Sequence, residues 1–166
     1  MIEVRACALP SKALLQRYAP PAGYADCFAA ELPREVSQAH FVEAFYTSSV
    51  FKLERWILRV AASRPSTDTD ATRLAQGEAS TFAAWRVEAR EADQLLMCDF
   101  TGRTRSWLMV EGRPGGVGTR LYFGSGIVPR QDPKTGEQRM GPLFNALLGF
   151  HKLYSRVLLR AAASRF

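Results

Sequence analysis

The chain predicts an α+β fold in which a curved antiparallel sheet of about five to seven strands wraps around a long C-terminal helix. Three observations carry this expectation. Pro142 to Ala163 reads as one helix, with Leu143, Leu147, Phe150, Tyr154, Val157, Leu158 and Ala161 recurring at three- and four-residue steps. Phe144, Leu148 and His151 widen that face, and only Asn145, Lys152, Arg156 and Arg160 form a polar stripe, so the helix needs cover on most sides. From Glu78 the period switches to two, and four strand-like runs follow one another between turn residues. Two further helical patterns stand between an early strand and this meander.

Taken in order, Pro10 to Ala22 holds a short helical pattern, Leu14, Leu15 and Tyr18, stopped by Pro20-Pro21-Ala22-Gly23. Residues 1–23 are therefore a lead-in to a single domain covering 1–166. Tyr24 to Leu32 is a first strand, ended by Pro33, which lacks an amide donor. Ser37 is placed to cap a helix carrying Phe41, Ala44 and Phe45. A second helix puts Val50, Leu53, Trp56, Ile57 and Val60 on one face, leaving Lys52, Arg55, Arg59 and Arg64 to solvent. Pro65 to Asp70 caps a short third helix through Arg73 and Leu74 that ends at Gly77. In the meander, Trp85, Val87 and Ala89 alternate with charged residues; Ala92-Asp93 turns into Leu95–Phe100; Thr101-Gly102 turns into Thr104–Glu111; and a glycine-rich turn leads to Thr119–Val128. Arg130 to Arg139 is a polar loop, and Gly141-Pro142 opens the last helix with proline at its first position.

At 166 residues the chain suits one domain and buries enough surface to need neither disulfides nor metals. Cys7, Cys27 and Cys98 are odd in number and lack Cys-x-x-Cys spacing, so they read as buried free thiols of a reducing compartment. The first five residues carry no basic start followed by an apolar run, and no run of 18 apolar residues occurs, so a cytoplasmic protein without a membrane span is expected. The net charge of +6 is scattered and matches no nucleic-acid-binding motif. Gly115-Gly116-Val117-Gly118 lacks the lysine and hydroxyl of a phosphate-binding loop and sits in a hairpin. No metal or cofactor motif is present, and oligomeric state is left open.

The order strand, helix pair, meander and long terminal helix is that of a helix-grip fold. Phe150-His151-Lys152-Leu153-Tyr154-Ser155-Arg156-Val157-Leu158-Leu159-Arg160 resembles the C-terminal helix of an uncharacterised bacterial domain-of-unknown-function family among the START-like (SRPBCC) proteins. Leu96 to Phe100, with its Asp99-Phe100 pair, and Tyr122 to Pro129 are also similar, so the resemblance runs from about Tyr24 to the end. It implies the helix-grip fold and an internal cavity, and brings no activity with it.

The candidate lining of that cavity is Trp85, Asp99, Trp107, Tyr122, Leu147 and His151. His151 borders the apolar face of a helix that should be buried, and Asp99 stands mid-strand among apolar residues, so each needs a partner and the two are a candidate pair. Gly124-Ser125-Gly126 marks a bend, or a close approach by the C-terminal helix or a ligand. No catalytic set is evident. The expected function is binding of a small hydrophobic ligand between sheet and C-terminal helix. The alternatives are a cyclase- or hydrolase-like enzyme using His151 and Asp99 in the same cavity, and a basic protein-interaction module built on Arg55, Arg59, Arg64, Lys152, Arg156 and Arg160.

Overall fold

Turn and cap residues set the element boundaries. The computed structural model describes residues 2–131, 138–139 and 142–166. Two edge strands too short for a periodic signal, β1 (Val4–Ala6) and β3 (Thr81–Phe82), flank β2 (Tyr24–Leu32), β4 (Trp85–Glu91), β5 (Gln94–Asp99), β6 (Thr104–Gly112) and β7 (Thr119–Ile127). These seven strands form one antiparallel sheet in the order β1-β2-β7-β6-β5-β4-β3. The stretch expected as a polar loop carries two short paired strands, β8 (Arg130–Gln131) and β9 (Gln138–Arg139), and residues 132–137 lie outside the described ones.

Ser37 caps α1 (Gln38–Tyr46) by accepting the His40 amide at 3.2 Å. Thr67 and Asp70 form a reciprocal capping box at the start of α3 (Asp68–Ala75). Between them lies α2 (Ser49–Ala62), and α4 (Pro142–Ala163) closes the chain.

Strand alternation sorts the sheet into two faces, and both are covered. On one, Phe28, Leu95, Leu108, Leu121 and Phe123 join Phe41, Val42, Phe45, Tyr46, Leu74, Leu158 and Leu159 of the helices in the main core. On the other, Cys27, Leu96, Trp107, Met109 and Tyr122 pack under Ala13 and Leu15 of the N-terminal segment, which crosses the sheet as a strap with a 3-10 turn at Leu14–Tyr18. The lead-in is thus part of the fold. Double cover explains why β7 is buried at nearly every position instead of at alternate ones.

Two helix faces differ from expectation. In α2, Leu53, Trp56 and Val60 are 60%, 61% and 67% exposed, while Phe51 and Arg55 are buried. Arg55 turns inward because it finds partners there: Nη1 donates to Asp68 Oδ1 at 2.5 Å, Nε to Ser66 Oγ at 3.0 Å and Nη2 to the Ser66 carbonyl at 2.7 Å, with the guanidinium 5.7 Å from the Phe82 ring centroid. Among the described side chains of α4 the buried stripe is Ser155, Leu158, Leu159, Ala162 and Ala163, rotated away from Phe150 and Val157, which are exposed. Its small residues allow a close approach to the sheet and α1. Among the described side chains the best-buried helix is α1, whose Phe41, Val42, Phe45 and Tyr46 are fully enclosed, and not α4.

Candidate functional site

The helix-covered face of the sheet is apolar at one end and polar at the other. The register sets Phe28, Phe123, Leu108 and Leu95 side by side, whereas the next row on the same face reads Asp26, Ser125, Ser106, Met97. Beyond it lie Tyr24, Ile127 and Thr104, with Asp99 and Trp85 paired further across. Asp26 is held from two sides, with Oδ1 accepting the Ser125 amide at 3.1 Å and Oδ2 the Tyr24 hydroxyl at 3.0 Å.

Helix residues bring further polar groups over this end. His151 of α4 sets Nε2 3.4 Å from Asp26 Oδ2, a contact at ion-pair distance whose direction does not satisfy a hydrogen bond. One turn on, the Tyr154 hydroxyl donates to Glu54 Oε2 of α2 at 2.6 Å. Burial raises the Glu54 carboxyl above its ordinary value, against the Tyr154 hydrogen bond, and burial with the neighbouring carboxyl raises the Tyr154 hydroxyl as well. Burial likewise raises Tyr46, whose hydroxyl faces Ser106 and has no hydrogen-bond partner of good geometry among the described residues. The Trp85 indole nitrogen and His151 Nε2 are also buried without such a partner. Unpaired buried polar atoms are uncommon and costly, and among the described residues Gln38 Oε1 and Arg103 Nε are the others of this kind.

The expected lining residues do not form one set. Trp85 and His151 lie on the helix-covered face, on strands and helices well separated across it. Asp99 is spent on the β5–β6 turn: Oδ1 accepts the Arg103 and Thr104 amides, each at 2.9 Å, and Oδ2 the Thr101 hydroxyl at 2.5 Å. The carboxylate beside His151 is therefore Asp26, not Asp99. Its signal was the alternation of β2, where Asp26 shares a face with Phe28, Ala30 and Leu32. Trp107 and Tyr122 stand on the opposite face, away from α4, with Trp107 Nε1 donating to Gln94 Oε1 at 2.9 Å and the Tyr122 hydroxyl to Glu111 Oε2 at 2.8 Å. Leu147 lies outside the described side chains.

The strap side holds polar structure of its own. Gln94 bonds the Leu14 amide and the Lys12 carbonyl as well as Trp107. Glu88 accepts from the Tyr18 hydroxyl at 2.5 Å and from Arg105 Nε at 2.9 Å, with the Arg105 guanidinium 4.4 Å from the Tyr18 ring centroid. The close approach that Gly124 and Gly126 permit comes from Leu15, since a Cβ on Gly124 would stand 2.7 Å from Leu15 Cδ2 and one on Gly126 2.9 Å from Cδ1. That approaching group is neither the C-terminal helix nor a ligand.

Among the described residues no three His, Cys, Asp or Glu side chains are grouped to hold a metal ion, and no helix is long and apolar enough to cross a membrane. Comparison with protein-family models, with curated proteins and with solved structures found no match.

Proposed function

We propose that the chain is a helix-grip protein of the START-like kind that binds a small, largely apolar molecule carrying a polar end, seated between the sheet and the C-terminal helix. The observation that carries this reading is the polar end of an otherwise apolar core, where Asp26, Glu54, Tyr154 and His151 converge and where Tyr46 and His151 keep buried polar atoms without hydrogen-bond partners among the described residues. An apolar core needs none of these groups. A ligand with a hydroxyl or carbonyl would satisfy them while its remainder packs on the apolar neighbours. The α+β architecture with a terminal helix laid on an antiparallel sheet is compatible with that grip.

The test is binding of an apolar fluorescent dye of the anilinonaphthalene class to the purified protein. Binding that saturates at one dye per chain and persists in high salt is expected, because apolar burial is not screened as surface charge attraction is. His151→Ala should weaken the dye roughly 3–10-fold, the worth of one hydrogen bond. Tyr122→Phe, on the opposite face, should leave it unchanged. No saturable binding, or binding lost with salt, overturns the reading and favours the basic interaction surface.

One observation favours a second reading, catalysis in the same space. The Asp26 carboxylate beside the His151 imidazole is a general acid–base couple in reach of a bound ligand. A cyclase- or hydrolase-like enzyme would lose turnover in Asp26→Asn while still binding the dye.

A further inference from the structure

The sheet's other face carries a second site, built around two thiols that sequence spacing leaves unrelated. The β1–β2 register pairs Val4 with Ala30 and Ala6 with Phe28, so the next residue, Cys7, stands opposite Cys27, and its amide donates to the Cys27 carbonyl at 3.0 Å. The two Sγ atoms are 3.4 Å apart. Directly opposed residues in an antiparallel pair have Cα atoms about 4.5–5.5 Å apart, inside the roughly 4.4–6.8 Å that a disulfide spans. The pair is asymmetric: Cys7 is exposed and Cys27 is buried. Cys7 also opens onto a groove of about 630 Å³ along the sheet edge, bordered by Arg5, Leu9, Ala29, Glu31, Arg120 and Tyr122.

We propose that Cys7 and Cys27 form a reactive dithiol that exchanges with a small disulfide bound in this groove. The exposed Cys7 thiolate attacks one sulfur of the disulfide, forming a mixed disulfide and releasing one thiolate. The Cys27 thiol then gives its proton to the released thiolate, its sulfur attacks Cys7 Sγ, and the second thiolate leaves and takes a proton from solvent. Two protein thiols and one small disulfide thus become one Cys7–Cys27 disulfide and two small thiols, with no other oxidant. The division of labour follows from the surroundings. The hydrogen bond from Cys27 and, more weakly, the Arg120 guanidinium favour the Cys7 thiolate against partial burial, whereas the bond to Cys7 and burial keep the proton on Cys27. Cys98, buried and raised by that burial, stays out of the exchange. Oxidation also closes a loop, because the two cysteines, twenty residues apart, bracket the strap that carries Leu15 and Tyr18.

The experiment is to titrate the reduced protein with glutathione disulfide and follow free thiols, intact mass and peptide linkage. Wild type should lose two of its three thiols, lose the mass of two hydrogens, and yield a Cys7–Cys27 linked peptide, melting higher when oxidised. Cys27→Ala should stop at a mixed disulfide on Cys7, and Cys7→Ser should leave Cys27 unreacted; melts in reductant show whether each variant is folded. A stable glutathione adduct on wild-type Cys7, a linkage between two chains, or Cys7 alkylating with the pH dependence of an ordinary surface thiol would each overturn the proposal. The alkylation measurement needs no variant, so it decides even if Cys27→Ala fails to fold.

Discussion

The two faces of the sheet are closed by different means. Helices close one face, with α4 against β2 and β7, α1 against β6 and a core of aromatic rings running from Phe45 to Tyr46, Phe51, Phe82 and Phe123. A single stretch of largely irregular chain closes the other, held by Ala13 and Leu15, with Leu15 over Gly124 and Gly126, and by a few polar contacts: Gln94 on the strap backbone, and Glu88 between Tyr18 and Arg105. Regular elements bury area without needing particular partners, since their backbone groups satisfy one another. An irregular segment must have each of its backbone and side-chain polar groups met by the sheet beneath it. The strap therefore depends on a few named residues where the helical layer depends on many.

That contrast is broken most directly at Leu15, which is fully buried. Leu15→Ala should cost about 2–5 kcal/mol, the range for a leucine deleted from a core that collapses only partly. Chemical denaturation of the variant checks this. A loss under about 1 kcal/mol would make the strap an optional cover and the helical layer sufficient by itself. With the strap weakened, amide exchange should rise first on β6 and β7 and last on α1, because local opening follows the least anchored layer.

Much of the helical layer is legible in the sequence because its signals are local. Ser37, Thr67 with Asp70, and Gly77 stand where the backbone begins and ends its turns, and the two-residue turn at Ala92-Asp93 joins β4 to β5. The faces of α2 are not legible, since hydrophobicity argues for Leu53, Trp56 and Val60 while the decisive term is the three-partner seat of Arg55, made by Ser66 and Asp68 on a later segment. The candidate site fails to show for the same reason. Asp26 and His151 stand far apart in the chain, and choosing Asp26 over Asp99 requires knowing that Asp99 already accepts three hydrogen bonds from its own turn. The strap shows only a short helical pattern, Leu14, Leu15 and Tyr18, which folds as the 3-10 turn Leu14–Tyr18 but does not say what it covers. The trace on the sheet side is the pair of glycines in β7, which mark a close approach without naming what approaches.

The polar end of the helical layer gives a smaller effect, with a definite sign in pH. Burial raises the Glu54 carboxyl above its ordinary value, so between those two values the folded chain binds more protons than the unfolded one. Stability is then fully present below the ordinary carboxylate range and falls as pH rises through the raised value. Glu54→Gln keeps an acceptor for the Tyr154 hydroxyl and cannot ionise. It should remove that decline and raise stability at neutral pH by about 1.4 kcal/mol for each unit of the shift. Melting curves of parent and variant across the acidic to neutral range measure it. A parent whose stability does not fall over that range would mean that Glu54 ionises freely, and that the polar end is wetter than its burial indicates.

The smallest effect is expected at Leu153, and it tests which side of α4 meets the sheet. Helical periodicity places Leu153 between the exposed Phe150 and Val157 at three- and four-residue steps, and it is 60% exposed, whereas Leu159 is fully buried. Leu153→Gln gives up little burial and adds no unpaired polar group, so stability should move by no more than about 0.5 kcal/mol. The same substitution at Leu159 puts an amide where no water reaches and leaves it without a partner. Denaturant midpoints of the two variants distinguish the faces. If Leu153→Gln proved the more damaging, the helix would grip through Phe150, Leu153 and Val157, and His151 would be carried away from Asp26.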